Sequence, residues 1–238
     1  YRENEREQRI KGASYEDIAK NGGGILNSAK KLQDTSEDEL LEKALQRTKE
    51  VMKMGTGAIE IKSGYGLTTE AELKMLRVIK RLKKLTPLTV KATFLGAHAI
   101  RQEYKTNKSA YLDLIIDEML PQIAQEQLAE YIDIFCEEGY FSVKDTVRLL
   151  EAAQSYGLIP KTHVNQFTIQ GGVKASIKYR ALSVDHLEIM NDEDIDALKG
   201  SECMPTLLPS CSFFLGIPYG PAKKLMENDL PVALATDF

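Results

Sequence analysis

One rhythm constrains this chain more than any other feature. Short, nearly continuous apolar segments alternate with amphipathic ones, and the apolar segments close on polar residues. Ala58–Lys62, Thr89–Leu95, Tyr131–Cys136, Ile159–Phe167, Leu182–Glu188, Cys203–Leu208 and Pro231–Asp237 read as strands, the sixth weakened by Pro205. Helix starts stand between them. Ser36 with Glu39, Thr69 with Glu72 and Ser142 with Asp145 have the spacing of capping boxes, and Asn191 opens a further helix. A helical stretch over 109–127 contains Pro121, which is expected to kink or divide it. Strands that are apolar throughout imply a parallel sheet covered on both faces. An open doubly wound sheet would gather its ligands near one switch point. Here polar groups end almost every strand, as in a (β/α) barrel, whose strand ends point into the active-site mouth. The chain supplies about seven of the eight strands required, so residues 1–238 read as one barrel domain whose first strand is expected before Tyr1.

Composition narrows the partners. A formal net charge of -4 gives no reason to expect nucleic acid or an anionic membrane. The basic cluster Lys80-Arg-Leu-Lys-Lys84 reads as a solvated helix face. Cys136, Cys203 and Cys211 are odd in number and lack CxxC pairing, so neither a disulfide framework nor a cysteine-ligated zinc site is indicated. A reducing cytoplasm fits best. No apolar run approaches the roughly 20 residues that span a bilayer. Residues 1–35 read as loop and short helix, with Gly22-Gly-Gly24 as a mobile connection.

All three histidines, His98, His163 and His186, fall at predicted strand ends, and Asp237 ends the last strand. Core packing gives no reason for such placement. Imidazole nitrogen with carboxylate oxygen is the ligand set of hydrolytic zinc or iron sites. A catalytic site of that kind keeps one position for a water whose pKa the cation lowers towards about 7.

Ten segments carry a resemblance that spans nearly the whole chain in order: Arg2-Glu-Asn-Glu5, Ser14-Tyr15, Gly22-Gly-Gly-Ile-Leu26, Glu60-Ile-Lys-Ser-Gly-Tyr-Gly-Leu67, Phe94-Leu-Gly-Ala-His98, Phe135-Cys-Glu-Glu-Gly139, His163-Val-Asn-Gln-Phe167, Val184-Asp-His-Leu-Glu188, Met204-Pro-Thr-Leu-Leu208 and Ala235-Thr-Asp237. With them the sequence resembles the imidazolonepropionase family of the amidohydrolase superfamily. The resemblance implies an α/β fold, a (β/α)8 TIM barrel of the metal-dependent hydrolase type, here without its first strand and the small flanking β domain. It implies hydrolysis of the ring amide of 4-imidazolone-5-propanoate to N-formimino-L-glutamate in histidine degradation. One metal ion, zinc or iron, would be held by a His-x-His pair expected before Arg2 and by His163 and Asp237. Among the substrate contacts, Arg2 would grip the propionate with its planar fork, beside Tyr65 and His98. His186 would act near the attacked carbonyl, and Asp237 would serve as the base.

Gln166 departs from the carboxylate carried by several family members. An amide cannot act as a general base, so Gln166 is expected to orient substrate or water, with Asn165 beside it. Glu137 and Glu138 point to opposite faces if they are in a strand, and both read as structural. A homodimer would be ordinary for the family. The 238-residue chain alone is expected to bind metal weakly and turn over little. Two other readings stay open: a related amidohydrolase acting on another cyclic amide or aminated ring, and a metal-free barrel serving as a binding or scaffold protein.

Overall fold

The computed structural model describes residues 7, 8, 10–12 and 24–237. Arg2, Tyr15 and the break at Gly22 and Gly23 lie outside the described residues. Helices α1 (Gly24–Asp34) and α2 (Glu37–Lys53) precede the alternating region. Its first half comprises β1 (Ala58–Lys62), α3 (Thr69–Leu82), β2 (Thr89–Ala97), α4 (Lys108–Leu114), α5 (Leu120–Glu126), β3 (Tyr131–Cys136) and α6 (Val143–Gln154). The second half comprises β4 (Ile159–Pro160), β5 (Thr162–Val164), α7 (Gly172–Lys178), β6 (Ser183–His186), α8 (Asp192–Lys199), β7 (Met204–Leu207), α9 (Pro209–Leu215), α10 (Ala222–Glu227) and β8 (Ala233–Leu234).

The sheet runs β1-β2-β3-β5-β6-β7-β8, every pairing is parallel, and β4 also pairs with β3. Strands β4 and β5 take up the expected Ile159–Phe167 strand as far as Val164, interrupted at Lys161, and left-handed Asn165 (φ 57) ends it before Gln166 and Phe167. The last strand is much shorter than expected, so Asp237 lies beyond it rather than at its tip. The sheet is curled into the wall of a barrel. Lys62 on β1 reaches Asp133 on β3 at 2.7 Å and Asp185 on β6 at 3.1 Å. In a flat sheet β1 and β6 would stand four spacings of about 4.8 Å apart. No lysine side chain could bridge that distance.

Local sequence explains most boundaries. The hydroxyl of Ser36 caps α2, and Ser142 with Asp145 forms the complete capping box of α6. Asn191 caps α8 through the Asp194 N–H. At α3 the cap is Thr68, one residue before the expected Thr69, and its hydroxyl takes the Ala71 N–H at 3.1 Å. This shift releases Glu72 from the helix end for another task. Between α4 and α5 the expected kink takes the form of a π turn over Ile115–Met119. Pro121 has no N–H and crowds the carbonyl four residues earlier, and a wider turn relieves both problems.

The main core lies between the helices and β1–β3, with Leu76, Phe94, Ile132 and Leu149 fully buried. A second core around Val164, Val184, Leu198 and Leu225 covers β5–β7. Fully burying one leucine of this kind contributes about 1.5–3 kcal/mol. The Lys80–Lys84 cluster, expected to be merely solvated, ties α3 to its surroundings: Arg81 reaches Glu37 at 2.9 Å and Asp38 at 2.7 Å, and Lys83 reaches Glu130 at 2.5 Å.

Helix α7 sits directly on the strand that carries His163. A Cβ placed on Gly172 would stand 2.7 Å from Val164 Cγ1 and 3.1 Å from Cys136 Sγ. The Gly172→Ala variant is therefore expected to lose about 1–3 kcal/mol by overpacking, read from the midpoint of a urea unfolding curve at unchanged slope. An unshifted midpoint would contradict this packing.

Candidate active site at the strand ends

The three histidines converge at the carboxyl ends of the strands. The His163 ring centroid lies 6.2 Å from that of His98 and 5.1 Å from that of His186. Regular strands would not bring them together. On β2, Thr93 faces the barrel interior, and simple alternation would turn His98 outward. The register jumps from Phe94 opposite Ile132 to Ala97 opposite Ile134, so three steps on β2 match two on β3. That bulge reverses the alternation and brings His98 inside. On β6, His186 is in register with Val164, whose side chain packs under α7. A left-handed backbone at His186 (φ 86) and Leu187 (φ 61) turns the chain, and the ring joins His163 instead.

Beneath the histidines lies a buried set of charges. Asp133 is fully buried, as are nearly all of His163 and Asp185. The Asp133 carboxylate faces His163 Nδ1 at 2.9 Å and Lys62 Nζ at 2.7 Å. Lys62 also stands 3.2 Å from Glu60, whose other oxygen takes Lys161 at 2.5 Å. Burial works against the Lys62 ammonium, yet Asp133, Asp185 and Glu60 outweigh it and hold its pKa above the ordinary lysine value. Burial likewise opposes the Asp133 carboxylate, and His163 and Lys62 more than compensate, so it stays well below the usual carboxylate range. These partners of His163 were not singled out in the sequence, where an Asp inside an apolar strand was the available signal.

Tyr65 sits in the turn after β1, its ring 5.2 Å from that of His98 in an edge-on arrangement. The turn is held by the carboxylate that Thr68 released. Glu72 accepts the N–H groups of Gly64 at 2.8 Å, Gly66 at 2.7 Å and Leu67 at 3.0 Å. Gly64 has φ +111 and passes so close to Leu95 that no side chain fits there.

On the far side, His186 Nδ1 stands 3.3 Å from Glu188 Oε1, which also accepts from Ser212 Oγ at 3.0 Å. Gln166 Nε2 lies 3.8 Å from Cys211 Sγ. Burial, and then the Asp237 carboxylate beside it, push the Cys211 thiol well up. Asp237 itself is exposed and left-handed (φ 55). Asn165 is buried and donates to Asp194 at 2.8 Å, which makes it structural rather than a partner of Gln166. Glu137 accepts the Phe167 N–H at 2.9 Å and the Thr168 hydroxyl, while Glu138 is exposed, in keeping with structural roles.

Two groups of side chains have the donor types of a metal site: Asp133, His163 and Asp185, and His186, Glu188 and Cys211. In the first, Lys62 Nζ already occupies the place of a cation between the carboxylates. His163 still fits a metal ligand. Its Nδ1 stands 2.9 Å from the Asp133 carboxylate, and Nε2 is the ring nitrogen left over for a ligand.

The class that the fold defines is a curled parallel α/β sheet, the wall of a (β/α) barrel. Solved structures share it at identities that speak for the fold alone. A 5-methylcytosine deaminase from Klebsiella pneumoniae matches with a TM-score of 0.69 and 13% identity over 90% of this chain and 55% of its own. A guanine deaminase from C. acetobutylicum matches at 0.65 and 16%, over 89% of this chain and 52% of its own. A mutant atrazine chlorohydrolase from Arthrobacter aurescens, solved with zinc, matches at 0.68 and 12%, over 94% of this chain and 54% of its own.

Sequence similarity is far more particular, and it is to imidazolonepropionases, as the motifs led us to expect. The protein of that name from Christiangramia forsetii is 66% identical over 237 residues, covering 100% of this chain and 58% of the relative. That from Flavobacterium johnsoniae is 61% identical with the same coverage, and that from Caldanaerobacter subterraneus is 44% identical, covering 100% of this chain and 57% of the relative. The chain thus spans less than two thirds of the length of these relatives. No family model matches it. No helix among the described residues is long and apolar enough to cross a membrane.

Two predictions follow from this geometry. In Glu72→Gln, one amide oxygen must replace two carboxylate oxygens, and the NH2 opposes a backbone N–H. The turn bearing Tyr65 should lose about 1–3 kcal/mol, measured by denaturant unfolding. His98 supplies the pH test. Burial, reinforced by the charge of His163, lowers its pKa from 6.5 to about 4, and its Nδ1 is shut off from water. Between those values the unfolded chain takes up a proton that the folded chain refuses, so this contribution to stability falls as the pH drops from 6.5 towards 4. The loss should be smaller in His98→Asn, compared by thermal melts across that range. Parallel curves would show that His98 does not titrate in this way.

Proposed function

We propose that this chain is the barrel part of a cytoplasmic imidazolonepropionase, which hydrolyses the ring amide of 4-imidazolone-5-propanoate to N-formimino-L-glutamate in histidine degradation. The observation that carries the reading is 66% identity along the whole chain to a relative of that name. The convergence of His98, His163 and His186 in the mouth supports it.

In this reading His163, through Nε2, and Asp237 are metal ligands. Zinc or iron, when bound, would lower the pKa of a coordinated water towards about 7. Asp237 accepts a proton from the attacking water and passes it to the departing ring nitrogen. His186 donates a hydrogen bond to the carbonyl oxygen as negative charge develops there, with Glu188 behind its Nδ1. His98, kept neutral by burial, can offer the substrate a hydrogen bond without adding charge. Tyr65 lines the same side, and Arg2 would receive the propionate. Gln166 orients substrate or water, because a neutral amide is too weakly basic to take a proton as a general base.

The test is elemental analysis of the full-length gene product carrying this chain, with imidazolone propionate hydrolysis followed before and after chelation. One bound zinc or iron per chain and chelator-sensitive turnover are expected. Asp237→Asn should lower kcat by about 10²–10⁴-fold, the usual span for losing a general acid-base group. A metal-free, inactive protein after supplementation with either metal would sink the proposal.

A further inference from the structure

We propose that Asp133 and Lys62 are positioning residues for His163: Asp133 fixes the ring so that Nε2 faces the barrel mouth as a metal-ligating nitrogen, and Lys62 fixes Asp133. The inference rests on the reading of His163 as a ligand.

Asp133 holds His163 at two points. Oδ1 accepts the backbone N–H of His163 at 3.1 Å and that of Ile134 at 2.7 Å. Oδ2 faces the ring Nδ1 at 2.9 Å and the Lys62 ammonium at 2.7 Å. One fully buried carboxylate thus holds the His163 backbone by a hydrogen bond and stands at ion-pair distance from its ring Nδ1, although that nitrogen makes no aligned hydrogen bond. With Nδ1 directed at that carboxylate, Nε2 is the nitrogen free to ligate. Lys62 in turn is fixed by Asp185 at 3.1 Å, and Asp185 is steadied by Ser183 Oγ at 2.7 Å. A fixed ammonium between the carboxylates has a second effect: it keeps a metal ion out of the Asp133–His163–Asp185 group and leaves the Nε2 side for it.

The chemistry of the amide makes Asp133→Asn informative. Its oxygen must stay on the two backbone N–H groups, since the NH2 would oppose both. The NH2 then points at His163 Nδ1 and donates to it, which moves the ring proton to Nε2 and removes the ligating lone pair. The same position also sets the NH2 against Lys62. Asp133→Asn combined with Lys62→Met removes that opposition while preserving the effect on the ring, and it serves if the single variant does not fold.

The experiment uses the full-length gene product and zinc as the probe. Affinity is measured by competition with a chromophoric chelator, and the imidazole ¹⁵N shifts of His163 are read in the metal-free protein. In wild type, Nδ1 should carry a proton. In Asp133→Asn or the double variant, Nδ1 should be bare and zinc affinity about 10–100-fold weaker. Lys62→Met should weaken zinc in the same direction. A purely structural role would lower the melting temperature and leave zinc affinity and the ¹⁵N shifts unchanged, which would overturn the proposal. His163→Asn separates the two levels: if it loses zinc while Asp133→Asn does not, the positioning role alone fails. If His163→Asn binds zinc like wild type, the ligand reading fails and takes the positioning role with it.

Discussion

The Lys62 ammonium, enclosed by Asp133, Asp185 and Glu60, is the contact around which the barrel interior is arranged. Moving each such ion out of water costs several kcal/mol even after relaxation, so the group persists only because its members satisfy one another. Asp133 uses both oxygens twice, Asp185 has a serine hydroxyl besides the lysine, and Glu60 binds a second lysine. A nonpolar interior of similar volume could be equally stable. What ions add is geometry, because each hydrogen bond ties a named atom on one strand to a named atom on another. The floor of the mouth is therefore set by polar contacts, while the cores outside the sheet supply the bulk of the burial.

Above that floor, the meeting of the three histidines depends on departures from regular strands. The bulge in β2 and the left-handed residues ending β6 each reverse the direction in which the next side chain points. Without them His98 and His186 would face the helix layer. A non-glycine residue held at φ 86 costs of order 1–3 kcal/mol and persists where its surroundings over-determine it. Here the ring contact with His163 and the Glu188 carboxylate do so. Hydrogen bonds also fix the turn that presents Tyr65, through one buried carboxylate reaching three backbone N–H groups.

Much of this was legible in the residues. Strands β1 and β3 match their predicted bounds, the caps at Ser36, Ser142 and Asn191 form as their spacing requires, and polar strand ends pointed to the mouth. These features depend on neighbours a few positions apart. Asp133, Asp185, Lys62 and Glu72 escaped because their meaning lies in distant or local partners that periodicity does not encode. Lys62 meets residues 71 and 123 positions away. An ionisable residue inside a strand covered on both faces must be paired, and that rule alone could have marked Asp133 and Asp185. Glu72 was assigned to a capping box by spacing, and a one-residue shift of the cap to Thr68 changed its role. The last strand was read too long: its ladder with β7 closes with the Ala235 N–H on Leu207 O at 3.0 Å, and apolar or β-branched character at Ala235 and Thr236 does not extend it.

Barrels of alternating strands and helices are often regarded as assemblies of exchangeable units, each strand with its helix forming a separable piece. The lysine on β1 sets a limit to that modularity. Its carboxylate partners come from the third and sixth strands, and the histidine beside the first of them comes from the fifth. A chimera that exchanged β1 with a relative lacking the lysine would take the shared ammonium away from buried carboxylates in segments the exchange never touched. Recombination within this fold must carry those four strands as one inherited block, however far apart they stand in the chain.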